Sequence, residues 1–201
     1  MLLRAESLAG THSIAATVAS LARAGDVIVL AGDMGAGKTA FAQGFGRALG
    51  ITEPITSPTF TLVHSYPVPG RRLTLHHADL YRLDRTGDID DLALAELAEF
   101  DGIVLIEWGD VAGGAIGDHL EVRLGTDHDD EFADLDDDGD DDGDEADGDD
   151  DEVDDVDGDD DRHDHADFGL DEQRVVELAA SGPGWAGRWD RLVTELAGYR
   201  C

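Results

Sequence analysis

Residues 32–39 read Gly-Asp-Met-Gly-Ala-Gly-Lys-Thr and satisfy the pattern G-x-x-x-x-G-K-[ST] without a mismatch. The setting of this stretch constrains the fold more than anything else in the chain. Residues 27–31 (VIVLA) form a short, continuous, β-branched apolar run, as expected of a strand buried on both faces. Residues 38–49 carry Phe41, Phe45 and Leu49 on one helical stripe, with Gly50 just past the end. A buried strand, a glycine turn and a helix in that order gather backbone N–H groups and the positive end of a helix dipole around one point. The group that suits such a point is a phosphate. Lys38 supplies a point charge to it, and the Thr39 hydroxyl is a ligand for Mg²⁺. The expected contacts run through Asp33, Met34, Gly35, Ala36, Gly37, Lys38, Thr39 and Ala40.

Lys38 is the only lysine in the chain; the other 13 basic residues are arginines. A narrow nest of N–H groups accepts a compact ammonium where a guanidinium fork does not fit. The same count excludes an N/T-K-x-D guanine-recognition motif, which needs a second lysine, so the expected nucleotide is ATP rather than GTP.

Charge is distributed unevenly. The 201 residues have a formal net charge of −33, but residues 127–167 hold 26 acids and a single base, Arg162. The remaining 160 residues carry a net charge of −8. The chain therefore divides into a core over residues 1–125, an acidic low-complexity insertion over 126–167, and a C-terminal strand and helix over 168–201 that complete the core. A composition of Asp, Gly and Glu cannot bury apolar area to offset ordering entropy, so the insertion is expected to stay unstructured. An acidic balance argues against direct gripping of nucleic acid or of an anionic membrane. One cysteine (Cys201), no basic leader followed by an apolar run, and no apolar stretch of about 20 residues make a cytoplasmic location the expectation.

Along the core, periodicity predicts a helix over 11–23 capped by Thr11, the strand over 27–31 and the helix over 38–49. A loop over 51–60 follows, then a hairpin of strands 60–66 and 73–79 about a turn at 67–70. A short helix is expected over 90–99 and a second buried strand over 103–106, ending in Glu107 and Trp108. Strands over 120–124 and 174–180 and a closing helix over 184–196 complete the set. Strands and helices alternate, which gives an α/β class: a P-loop NTPase fold with a partly parallel central sheet flanked by helices.

Such a fold needs an acid at the end of a neighbouring strand to hold Mg²⁺ directly or through water. Glu107 has that position, and Asp79, at the end of another strand, is the second candidate; Asp110 reads as an ordinary acid. Thr59 lies in the loop about 20 residues after Lys38, where nucleotide switches bring a threonine to the γ-phosphate; position alone fits a plain polar loop equally well. Trp108 suits either packing behind its strand or contact with the nucleotide. Tyr81 and Arg82 suit packing or a partner contact. Arg71, Arg72, Arg82 and Arg85 qualify as arginine fingers by charge alone.

Several segments taken together resemble one family. GDMGAGKTAFAQGFGRALG, SPTFTLVHSY, HHADLYRL, IVLIEWGD and GRWDRL, in this order, are similar to the TsaE (YjeE) family of small bacterial P-loop ATPases required for the threonylcarbamoyladenosine modification of tRNA. The resemblance covers about residues 1–124 and 168–197. It implies a nucleotide cradle at Gly35, Gly37, Lys38 and Thr39, with Thr39 also a Mg²⁺ ligand, and a switch-like loop at Ser57 and Thr59. It implies an acid at Asp79 important for ATP hydrolysis, and a metal-side acid at Glu107 with Trp108 as the aromatic beside it. It also implies two partners, TsaD and TsaB, which carry out the threonylcarbamoyl transfer that TsaE itself does not catalyse. A P-loop small-molecule kinase is the rival enzyme, and an acidic binding module with a vestigial phosphate loop the rival from another class.

The insertion is where the chain departs from that family. Within it Asp134, Asp136, Asp138, Gly139 and Glu145 satisfy an EF-hand loop pattern. A tract this rich in Asp and Gly produces the match by chance, and position eight is Asp141 where an apolar residue belongs. His163 and His165 read as part of the same solvated tract.

Overall fold

The computed structural model describes residues 1–58, 61–81, 94–108, 116–126 and 173–201. The elements are β1 (Leu2–Ala5), α1 (Leu8–Leu21), β2 (Val27–Ala31), α2 (Lys38–Ala48), β3 (Val63–Pro67) and β4 (Thr74–Asp79). They continue with α3 (Leu94–Glu99), β5 (Gly102–Glu107), β6 (His119–Gly125), β7 (Arg174–Ser181), α4 (Ala186–Glu195) and a 3₁₀ turn at Ala197–Tyr199. The strands form one seven-stranded sheet in the order β1-β7-β6-β2-β5-β4-β3. Its centre, β6-β2-β5-β4, is parallel, while β3, β7 and β1 join antiparallel.

The two apolar runs become the two central strands for the expected reason. All six residues of β5 are buried, as are the last four of β2. Ile28, Leu30, Ile103 and Leu105 point to the face covered by α1, α2 and α4, where they meet Ile14, Phe41, Phe45 and Leu192. Val104, Ile106 and Ala78 point to the other face and meet Leu94 and Ala98 of α3. Alternation along each strand feeds two separate apolar layers, the arrangement that requires a strand apolar at every position.

Several boundaries differ from expectation. The first helix begins at Leu8, not Thr11. Its cap is Ser7, whose extended backbone (φ −166°, ψ 168°) lets Oγ accept from Gly10 N at 3.3 Å. The first turn holds Gly10 and Thr11, weak helix formers that hid this start from periodicity. The strand β1 was not expected at all. Only Leu3 and Ala5 of its four residues are buried, too few to set a period, and it exists because β7 offers an edge. The hairpin turn lies after Pro67 rather than at it, closed by Val68 N donating to Leu73 O at 2.9 Å. The helix expected over 90–99 is α3, Leu94–Glu99, with 90–93 outside the described residues.

One buried ion pair fastens the end of the chain to its centre. Arg188 of α4 donates through Nη1 (2.5 Å) and Nη2 (2.7 Å) to the two carboxylate oxygens of Asp26, which precedes β2. The same guanidinium reaches Leu21 O and Gly184 O and lies 4.0 Å from the Trp185 ring centroid. No helix among the described residues is long and apolar enough to cross a membrane.

Candidate functional site

Parallel pairing sets the carboxyl ends of β2, β5 and β4 side by side, and ligands in open α/β sheets bind along such an edge. Leu30 of β2 is level with Glu107 of β5, which is level with Asp79 of β4. The glycine loop leaves the sheet at this edge. Gly32 adopts φ 123°, and a Cβ there would overlap the Leu124 carbonyl oxygen, so only glycine turns the chain here. The loop ends at Gly37, which caps α2 without any side-chain hydrogen bond. The first N–H groups of α2 thus have no competing side-chain acceptor at the cap, as an anion site requires.

Lys38, the first residue of α2, is buried. Its ammonium donates to Gly32 O at 2.6 Å and Asp33 O at 2.7 Å, folding the loop over itself. It also lies 3.6 Å from the centroid of the Trp108 ring, a cation–π contact. Trp108 reaches that place through a left-handed backbone (φ 60°), its N–H donating to Leu30 O at 3.0 Å. Its ring packs against Tyr81 at 4.9 Å between centroids.

The next residue, Thr39, donates through Oγ1 to Glu107, 3.0 Å from Oε1 and 3.3 Å from Oε2. Glu107 is buried at 3% exposure, and its Oε1 also accepts from His77 Nε2 at 2.9 Å. Asp79 is equally buried. Its Oδ2 accepts from Ser57 Oγ at 2.7 Å and its Oδ1 from Tyr81 N at 2.9 Å. A hydroxyl beside a carboxylate is a pair of hard oxygen donors, the set Mg²⁺ prefers, so the residues fit the ion. Cationic Lys38 and the uncapped helix end fit the phosphates that Mg²⁺ accompanies.

These groups line one cleft of about 430 Å³, which includes Met34, Gly35, Gly37, Lys38, Thr39, Ala40, Ser57, Asp79, Glu107 and Trp108. Two residues expected at the phosphates do not line this cleft. Asp33 is exposed and turns its carbonyl to Lys38 and to Ala36 N, while Ala36 packs its methyl into the core. Arg71 and Arg72 sit in the β3–β4 turn, at the end of β4 opposite Asp79, and Arg72 pairs there with Asp101 at 2.7 Å. Thr59, Arg82, Arg85, Asp110, the Asp134–Glu145 match, His163 and His165 lie outside the described residues.

Two contributors escaped the sequence reading. His77 falls inside the strand expected over 73–79, and a position two before Asp79 shares its face. Arg174, the first residue of β7, comes beside the loop: a Cβ on Gly37 would lie 3.7 Å from its Nε. Nothing local to Arg174 announces this, because the contact arises from the order of strands. A larger hollow of about 530 Å³ lies around the C-terminal half of α2, between Arg47, Thr52 and Pro54, away from this edge.

A parallel sheet centre with a glycine loop between β2 and α2, a lysine opening α2, and acids ending the adjacent strands define a protein with the P-loop NTPase fold. The family model described as "Threonylcarbamoyl adenosine biosynthesis protein TsaE" matches residues 5–133, and the chain belongs to the TsaE family. Proteins named tRNA threonylcarbamoyladenosine biosynthesis protein TsaE are similar to it. That of Bacillus subtilis is 44% identical over 98 residues, which are 49% of this chain and 60% of the relative. That of Treponema pallidum is 46% identical over 46% of this chain and 67% of its own length. That of Streptomyces coelicolor is 38% identical over 53% and 70%. The matches thus span about 60–70% of these relatives. The crystal structure of Bacillus subtilis YdiB superposes with a TM-score of 0.60 at 25% identity, covering 98% of this chain and 94% of that one.

Proposed function

We propose that this chain is a Mg²⁺-dependent ATP hydrolase serving the biosynthesis of tRNA threonylcarbamoyladenosine. The observation that carries the reading is the contact of Thr39 with Glu107 beside Lys38, at the mouth of the glycine loop. In this reading the loop N–H groups and Lys38 hold the phosphates of ATP, and Thr39 and Glu107 hold the metal. Mg²⁺, when bound, neutralises phosphate charge. Glu107 orients the attacking water, and Asp79 fixes Ser57 and the loop that leads to Thr59. The products are ADP and inorganic phosphate.

The proposal includes TsaD and TsaB as protein partners in the cytoplasm, with the threonylcarbamoyl transfer left to them. The names of the relatives and the match of residues 5–133 support the pathway. Hydrolysis by the isolated chain is expected to be slow, because docking completes the site. Residues 1–125 and 168–201 act as one core, with 126–167 as an insertion between β6 and β7 that the chemistry does not use.

The direct test is titration calorimetry of Lys38→Ala. The expected result is loss of measurable ATP binding in a protein that still unfolds cooperatively on heating. Unchanged affinity would overturn the nucleotide reading.

A further inference from the structure

Beneath Glu107 the structure places a histidine that neither the phosphate loop nor the metal ligands explain. His77 is fully buried in β4, between Leu75 and Asp79 on the strand face that looks toward α2. In the β4–β5 register it is level with Leu105, one step deeper into the sheet than Glu107. Its neighbours on that face, Leu75, Ile103 and Leu105, are apolar core residues, and an apolar side chain would suit the position by packing alone. The imidazole instead leaves Nδ1 buried without a hydrogen-bond partner among the described residues. Stranding a ring nitrogen is a cost that folding alone gives no reason to accept. The other nitrogen accounts for it. Nε2 lies 2.9 Å from Glu107 Oε1, and a carboxylate only accepts, so the ring hydrogen sits on Nε2 and points at that oxygen.

The geometry points to His77 as a positioning residue for Glu107, an inference that rests on the reading of Thr39 and Glu107 as the metal pair. A glutamate has three side-chain torsions, and a buried carboxylate held only by Thr39 could rotate about the last of them. The donor on Oε1 fixes the carboxylate plane. With Oε1 shared between His77 and Thr39, Oε2 is held 3.3 Å from the Thr39 hydroxyl, so both oxygens face the residue that would share the metal. A metal-binding carboxylate oriented by a buried donor behind it binds its ion more tightly, because less ordering is left for the binding step. Unlike Thr39 and Glu107, His77 does not line the cleft, so it acts through Glu107 and not on the ligand.

The experiment is calorimetric titration of ATP across a Mg²⁺ series, with wild type, His77→Phe and His77→Gln. Phe keeps the bulk and removes the donor; the Gln side-chain amide places an N–H near the position of Nε2. The expected outcome for His77→Phe is Mg²⁺-free ATP affinity within about two-fold of wild type, with the Mg²⁺ concentration for half-maximal tightening raised about 10-fold. His77→Gln should recover most of that rise. If Phe prevents folding, the shorter His77→Leu takes its place in the same series. An unmoved Mg²⁺ midpoint in the Phe or Leu variant, or an equal weakening with and without Mg²⁺, would overturn the inference alone. A wild-type protein whose ATP affinity ignores Mg²⁺ would overturn the functional reading and this inference with it.

Discussion

At the scale of single residues, Asp79 is a joint rather than a free acid. It receives the Ser57 hydroxyl from the loop after α2 and the Tyr81 amide from the chain leaving β4, and Tyr81 in turn packs on the Trp108 ring over Lys38. Replacing it by alanine removes the shared acceptor of both donors at a part-buried place. Asp79→Ala should therefore lower the unfolding free energy by about 1–3 kcal/mol in urea denaturation, and Ser57→Ala by less. A full-sized loss from Ser57→Ala with none from Asp79→Ala would show that the joint is not Asp79. The residues proposed for chemical roles were legible in the sequence where a motif or a strand end marks them: Lys38, Thr39, Asp79 and Glu107 all reach one cleft. His77 and Arg174 were not, since each acts across a strand pairing that no local spacing encodes.

At the scale of elements, the glycine loop runs directly into α2, and α2 packs tightly against α1. The two helices approach so closely at Gly44 that a Cβ there would lie 2.8 Å from His12 Cα and 3.1 Å from Ala15 Cβ. His12 itself faces Arg47 of α2 at 3.4 Å; burial first, and then the arginine charge, lower its pKa, so the ring is neutral at pH 7 and tolerates the guanidinium. Gly44→Ala would gain helix propensity of about 1 kcal/mol, but it drives a methyl into backbone. The net expectation is a destabilisation of about 1–3 kcal/mol by urea denaturation. A more stable Gly44→Ala protein would mean that the helices can part freely. Periodicity found β2, α2, β4 and β5 nearly to the residue: β2 and β5 are continuous apolar runs, β4 alternates, and α2 carries an apolar stripe. It missed β1 and misplaced the start of α1, where a short edge strand and a serine cap depend on neighbours and not on pattern.

At the scale of the whole molecule, the −33 charge separates from the architecture. The β6–β7 ladder pairs Leu124 with Val176 and Gly125 with Val175, so the two strands meet whatever the length of chain between them. Closure entropy grows only logarithmically with that length. Deleting residues 128–165 leaves eight residues between 126 and 173. It should shift the melting temperature by less than about 3 °C, and calorimetry should give an ATP affinity like that of the full chain. A large loss of either would make the acidic segment part of the working structure. The Trp108 geometry has a spectroscopic consequence. Of the three tryptophans, Trp185 and Trp189 both pack into the core at the C-terminal helix, and Trp108 alone stands at the cleft, with an ammonium on its face. The native emission spectrum is thus a fixed background plus one indole whose quantum yield follows the position of Lys38, and the protein carries its own optical gauge of the phosphate loop.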